Sequence, residues 1–180
     1  MFARTPRLTL RPGWPEDAPA LARAIAHHDI AKMLSRLPWP YEQMHAEEWL
    51  ARAPGASEAN CVILSHEHAY PVLVGGISVM ERDGVHEIGY WLTPGARGRG
   101  YATEAGKAMI GIARYAMGLT RLHSAHFLDN PASGNVLTKL GFRYTGEKLL
   151  HSVGRGAEAP CATLELDLVE ERPQAFSLAA

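Results

Sequence analysis

The sequence has little of what marks several large protein classes. It holds only two cysteines, Cys61 and Cys161, exactly one hundred residues apart in a chain of 180. That spacing matches no metal pair, and two thiols do not make a disulfide framework. No run of ~20 apolar residues occurs, and Met1 to Leu10 alternates polar and apolar without an apolar core. The expectation is a soluble cytoplasmic protein with no membrane span. Net charge is also lacking: Lys plus Arg is 18 and Asp plus Glu is 19, giving −1. A sequence-independent nucleic-acid binder needs a basic excess to displace counterions, so any bound anion must be met by a local arrangement. Internal repeats and low-complexity segments are absent.

What is present is ordinary globular material, 47% hydrophobic and 21% charged. A chain of this size can bury about 70% of its surface, enough for a core without staples. A single domain is expected over residues 1–168. The tail, residues 169–180, has no partner pattern and is free to be disordered.

Arg7 to Arg11 alternates and stops at Pro12, as a strand does. A helix follows from Glu16, with prolines only in its first turn, and a second runs from Glu42 to Arg52. Strands are expected at Cys61–Leu64, Val72–Met80 and His86–Leu92, the last two joined by the hairpin pair Asp83-Gly84. Apolar residues at helical spacing mark Ala102–Met117 as an amphipathic helix ended by Gly118. A strand at Arg121–Leu128, a short helix at Pro131–Leu140 and strands at Phe142–Leu149 and Cys161–Leu168 complete the order. Seven strands and four helices without strict alternation predict an α/β (α+β) fold around a mixed sheet.

The stretch Arg97-Gly98-Arg99-Gly100-Tyr101-Ala102-Thr103 lies between a strand and the amphipathic helix. The first N–H groups of a helix lack internal acceptors and carry the positive end of its dipole. With glycines to admit a ligand and two arginines for charge, the stretch reads as a phosphate or pyrophosphate site. A P-loop is rejected because Gly100 is followed by Tyr101 rather than Lys-Ser/Thr. A Rossmann fingerprint is disfavoured because Thr103 stands where its third glycine belongs and the preceding strand alternates.

Arg97, Gly100 and Ala102 match the R/Q-x-x-G-x-G/A motif of the GNAT superfamily of acyl-CoA-dependent N-acyltransferases. Glu87-Ile88-Gly89-Tyr90-Trp91-Leu92, Gly100 to Ala105, and Asp129-Asn130-Pro131-Ala132-Ser133 followed by Leu140-Gly141-Phe142 resemble the RimJ/RimL-like, ribosomal-protein-acetylating branch. The similarity covers roughly residues 7–168.

This resemblance implies a GNAT fold: a mostly antiparallel sheet of about six to seven strands, a V-shaped splay between two central parallel strands, and about four flanking helices. It implies acetyl-CoA as co-substrate and no metal. The backbone of Trp91 and Leu92 would meet the pantetheine arm, and Arg97, Gly98, Arg99, Gly100, Tyr101, Ala102 and Thr103 would hold the pyrophosphate. Asn130 would contact the cofactor from the other side, and Lys139 would approach its adenosine end. Asn130 also reads as a plain helix N-cap before Pro131.

For chemistry, Glu87 is the candidate base, directly or through a water; the alternative is a solvated strand carboxylate. Many GNAT members carry an acid tyrosine seven residues after the helix-start asparagine, where this chain has Leu137. Ser133 is the substitute candidate acid, with Asn130 beside it; a local helix-start role is its alternative. His151 is a second base candidate. Nine histidines suggest a metal, but no third ligand joins His66 and His68.

The expected reaction is acetyl transfer to a primary amine, first the N-terminal α-amine of a protein. The alternatives are a small-amine acetyltransferase and a non-catalytic acyl-CoA-binding protein. The acceptor loops are expected at Met33–Tyr41 and Leu149–Pro160, with no acidic cluster to suit a polyamine. The expected partners are the amine acceptor alone, without nucleic acid or membrane, in a monomer or homodimer.

Overall fold

The computed structural model describes residues 2–55 and 57–169; the tail beyond them, residues 170–180, lies outside the described residues. Eight strands form one sheet: β1 (Ala3–Arg4), β2 (Leu8–Arg11), β3 (Ala59–Ser65), β4 (Val72–Arg82), β5 (Val85–Leu92), β6 (Arg121–Phe127), β7 (Arg143–Ser152) and β8 (Ala157–Asp167). Their spatial order is β1-β2-β3-β4-β5-β6-β8-β7. Every neighbouring pair is antiparallel except β5–β6, which is parallel. The helices are α1 (Ala18–Ile25), α2 (His28–Ala31), α3 (Gln43–Ala51), α4 (Tyr101–Gly111) and α5 (Pro131–Lys139).

Alternation along the strands supplies the core. Leu8, Leu10, Ile63, Val79 and Leu122 are wholly buried on the face covered by α4 and α5. α4 contributes Ala105 and Met109, α5 contributes Leu137, and all three are fully inaccessible. Truncating one such leucine to alanine costs ~2–5 kcal/mol, the lost transfer energy plus the cavity left behind. The opposite face is thinner. There Ala18, Leu21 and Ala22 of α1 pack with Ala46 of α3, and Tyr41, Trp49 and Trp91 lie against them.

The structure differs from the sequence expectations in four places. Two-residue β1 and one-turn α2 carry too little pattern to be read. The long helix changes at Ile112, where Ile112–Ala116 winds as a π-helix before Gly118 at φ 67°. The expected acceptor loop Leu149–Pro160 is instead a hairpin, with β7 and β8 paired from Arg143–Glu165 to Ser152–Ala157. Proline in a strand usually argues against pairing, but Pro160 falls one residue past the Phe127–Cys161 pair, where β6 ends. The predicted Asp83-Gly84 hairpin is present, with both residues at positive φ.

Candidate active site

β5 and β6 run parallel but pair only at Glu87 and His123. One step on, the Ser124 hydroxyl donates to the Ile88 carbonyl at 3.0 Å. Beyond it, no ladder pairing joins the two strands among the described residues. The sheet opens there, and the facing edges of Gly89–Leu92 and Ala125–Phe127 expose backbone groups to the gap. Main-chain donors and acceptors inside a fold need partners, so this opening suits an extended ligand that pairs like a strand.

The glycine-rich stretch stands at one end of the opening. Gly98 and Gly100 have φ of 74° and 81°, where an L side chain is strained, and open space surrounds the Gly98 Cα. Gly100 is the N-cap of α4. The first intrahelical bond is Glu104 N–H to Gly100 C=O at 3.0 Å, so the amides of Tyr101, Ala102 and Thr103 have no intrahelical acceptor. Three amides at the positive end of an 11-residue helix make an anion cradle.

The side chains around the cradle do less than the sequence suggested. Arg97 is bound to Asp29 at 2.5 Å, and Arg99 to Glu67 at 3.2 Å. Arg7 holds Glu104 at 2.6 Å and donates to the Arg99 carbonyl at 2.9 Å. Each guanidinium is thus matched by a carboxylate, and the local positive character comes from the main chain. Partial burial pushes the Asp29 carboxyl up, but the hydrogen bond and charge of Arg97 hold it below its ordinary value. The Tyr101 side chain is wholly buried, with its hydroxyl on Ser65 and Glu67, so it is its backbone amide that can face a phosphate.

On the α5 side of the opening, the Asn130 side chain accepts from the Ser133 amide at 3.3 Å and caps the helix. The Ser133 hydroxyl lies 2.9 Å from the Tyr90 hydroxyl, which also donates to the Ser133 carbonyl at 3.0 Å. Burial pushes the Tyr90 phenol up to about 12, with the Ser133 hydrogen bond working the other way. Tyr90 therefore stays a neutral donor across the working range of pH. Leu137, seven residues after Asn130, is fully buried in the core. Sequence reasoning missed Tyr90 as a functional group. The available signal was its alternation with Glu87 and Trp91, which turns it toward α5. Lys139 is exposed at the far end of α5, about 13 Å along the helix axis from Asn130 at 1.5 Å per residue. The two residues can serve only different ends of a long ligand.

On the other face of β5 lies a cavity of about 490 Å³. Its walls include Leu21 of α1, the Met33–Pro38 segment, Trp49 of α3, Glu87 and Trp91 of β5, His126 of β6, and Lys148 and Leu150 of β7. The Trp91 indole lies so close over Gly76 that a Cβ there would come within 2.6 Å of it. Glu87 faces this cavity, 3.6 Å from Arg82 and 4.0 Å from Lys148. His151 is not among the lining residues; alternation on β7 turns Lys148 and Leu150 inward and leaves His151 exposed. His66 is held by the Thr9 hydroxyl at 2.6 Å, and Glu67 by Arg99 and Tyr101. Among the described residues no group of three or more potential ligands gathers for a metal, and no helix is long and apolar enough to cross a membrane.

Residues 7–143 match the family described as "Acetyltransferase (GNAT) domain". The chain belongs to the GNAT acetyltransferases, an acetyl-CoA-dependent family. Among solved structures, a GNAT-family acetyltransferase from Bacillus anthracis superposes with a TM-score of 0.79 at 22% identity, covering 93% of this chain and 99% of that one. The ribosomal-protein-S5-alanine acetyltransferase of Vibrio fischeri gives 0.78 at 19% identity, covering 96% and 100%. A RimL ribosomal L7/L12 α-N-protein acetyltransferase, solved with coenzyme A, gives 0.77 at 16% identity, covering 93% and 98%. Among curated proteins, the uncharacterized N-acetyltransferase YoaA of Bacillus subtilis is 37% identical over 60 residues. That match spans about a third of each protein, 33% of this chain and 34% of YoaA.

The main-chain cradle, the open strand edges and the Tyr90–Ser133 pair suit acetyl-CoA. A diphosphate fits the free amides of α4, and an amide-bearing pantetheine arm fits the unpaired backbone of β5.

Proposed function

We propose that this GNAT chain transfers the acetyl group of acetyl-CoA to a primary amine, first the N-terminal α-amine of a protein, by direct attack on the thioester. The observation that carries this reading is the opening between β5 and β6. It has an anion cradle at one end and, across the sheet, a cavity containing a carboxylate.

In this mechanism Arg97 to Thr103 seat the pyrophosphate, with Gly98, Gly100 and the amides of Tyr101, Ala102 and Thr103 as the contacts. The backbone of Trp91 and Leu92 orients the pantetheine arm, and the Leu92 N–H, on the side of β5 away from its ladder with β4, is the one offered to the developing oxyanion. Asn130 fixes the start of α5, and Lys139 serves the nucleotide end. Glu87 takes the proton of the incoming amine, directly or through a water. As nitrogen bonds to the carbonyl carbon, the carbon–sulfur bond breaks. The thiolate takes a proton from the Ser133 hydroxyl, which regains one from solvent as Glu87 releases the amine proton there, while neutral Tyr90 holds Ser133 in place. A thiol of ordinary pKa ~8.5 needs only this modest help.

Magnitudes favour an α-amine. At pH 7 an α-amine of pKa ~7.8 is roughly 14% neutral, whereas a lysine at ~10.4 is about 0.04% neutral. A base that acts through a relayed water is tolerable only for the first. The ribosomal-protein acetyltransferases among the structural neighbours support the same acceptor class. A small-amine acceptor is the second reading, favoured by a cavity volume within the ~300–1,000 Å³ typical of small-ligand pockets.

The test is thiol release from acetyl-CoA with peptides bearing a free or a blocked N-terminus, and with a panel of small amines. Turnover on free N-termini alone supports the protein reading, and turnover on small amines alone supports the second. Acetyl-CoA binding without release on any acceptor would leave an acyl-CoA-binding protein. Mass spectrometry of ribosomal proteins from cells with and without this chain would identify a natural acceptor.

A further inference from the structure

The charges around the large cavity are unbalanced in a way the transfer step does not require. Arg36, Arg52, Arg82 and Lys148 line it, against Glu48 and Glu87. Glu87 is shared between Arg82 at 3.6 Å and Lys148 at 4.0 Å, so one carboxylate serves two cations. Arg36 makes no ion pair among the described residues. Burial, and next the charge of Arg36, lower the Arg82 pKa, and the buried Arg82 Nε has no hydrogen-bond partner.

Arg36 is not on a loose segment. The Ser152 hydroxyl donates to the Leu34 carbonyl at 2.9 Å, and the Val153 amide to the Ser35 carbonyl at 3.0 Å. Arg155 donates to the Lys32 carbonyl and grips Asp129 through both carboxylate oxygens, at 2.8 and 2.9 Å. The β7–β8 turn thus clamps residues 32–35 and holds the following arginine at the wall of the cavity that Arg82 also lines. Two like charges on one cavity wall, one of them partly buried, repel each other, and an anion bound between them would relieve that repulsion.

We propose that the acceptor carries a carboxylate within a few bonds of its reactive amine, and that Arg36 and Arg82 take that carboxylate while Glu87 attends the amine. This rests on the acceptor entering from the Glu87 face. Adjacency of Arg82 to Glu87 sets the short separation between the two groups. The planar fork of a guanidinium suits a carboxylate better than an ammonium point charge does. The cationic wall also disfavours an acceptor with further ammonium groups. The carboxylate has two sources: an acidic side chain just after a peptide's first residue, or the α-carboxylate of a free amino acid.

The experiment uses the full chain, acetyl-CoA and thiol release. Amidated peptides beginning Ser-Glu-Glu, Ser-Gln-Gln and Ser-Lys-Lys are compared, as are free glutamate and its dimethyl ester. The acid-bearing acceptor is expected to exceed its neutral counterpart in kcat/KM on the order of tenfold in at least one arm, mostly through KM and less so at high salt. The responding arm identifies the source. Arg36→Gln is expected to bring the acidic-to-neutral ratio toward one, and Arg36→Glu to shift it toward the lysine peptide. Arg36 is exposed, so these variants keep the test open should Arg82→Gln fail to fold. Equal kcat/KM within both arms, or a wild-type preference for the lysine peptide, would overturn the carboxylate proposal while leaving the transferase reading intact. Acetyl-CoA bound without turnover on any acceptor would overturn both.

Discussion

The two sides of β5 are built by different means. Toward α4 and α5, the site is mostly main chain: three amides at the start of α4, two glycines at positive φ, and open strand edges. Its nearby arginines are already matched by Asp29, Glu67 and Glu104. Toward α1 and α3, the site is side chain: Glu87 between Arg82 and Lys148, with Arg36 unmatched among the described residues. A ligand held by backbone is recognised through groups every residue carries, so the sequence around it can vary. A ligand held by side chains changes whenever those side chains change. The contrast explains how one fold can keep one donor and take many acceptors.

The comparison can be broken most sharply at Gly100. Gly100→Glu places a carboxylate and an unfavourable φ at the cradle, and is expected to lower coenzyme A affinity on the order of 100-fold, read by calorimetry. Gly100→Ala shares the strain but not the charge and should lose far less; equal losses would mean that backbone conformation rather than anion recognition governs the site. On the acceptor side, Glu87→Gln is expected to lower kcat on the order of tenfold to 100-fold with little change in coenzyme A affinity. A matching loss of coenzyme A affinity would erase the proposed division between the two sides.

A smaller effect lies in alkaline stability. Burial raises the Tyr90 and Tyr41 phenols from 10.0 to about 12 and the Cys61 thiol from 9.0 to about 11. Each group's neutral form is favoured in the fold, so its contribution is intact below its unfolded pKa. That contribution is lost as pH rises through the folded value. Urea midpoints should therefore hold steady at neutral pH and decline from about pH 9 toward 12. Tyr90→Phe should make that decline shallower, and an unchanged slope would show that Tyr90 is not held in this environment. Its kcat should fall by a factor of a few, about the loss when a supporting hydrogen bond is removed.

The glycine stretch was legible because its signal is local: seven consecutive residues set both the turn and the helix start. Asn130 as N-cap and the Asp83-Gly84 hairpin were legible for the same reason. Tyr90 was not, because its meaning depends on Ser133, 43 positions away. The pairing of Arg97 with Asp29 and of Arg99 with Glu67 was equally hidden, since those carboxylates arrive from distant segments. The expected loop at Leu149–Pro160 became strand because Pro160 falls just past the end of β6, a placement that register decides.

By itself the sequence determined the periodicity of its elements, the glycine turn before α4 and the motifs that mark the family, since each depends on neighbours along the chain. The tertiary structure alone decided which charges cancel and which remain, because an ion pair depends on distance in space. It left the arginines at the cradle neutralised and a cationic surplus beside Glu87, where the acceptor is expected to enter.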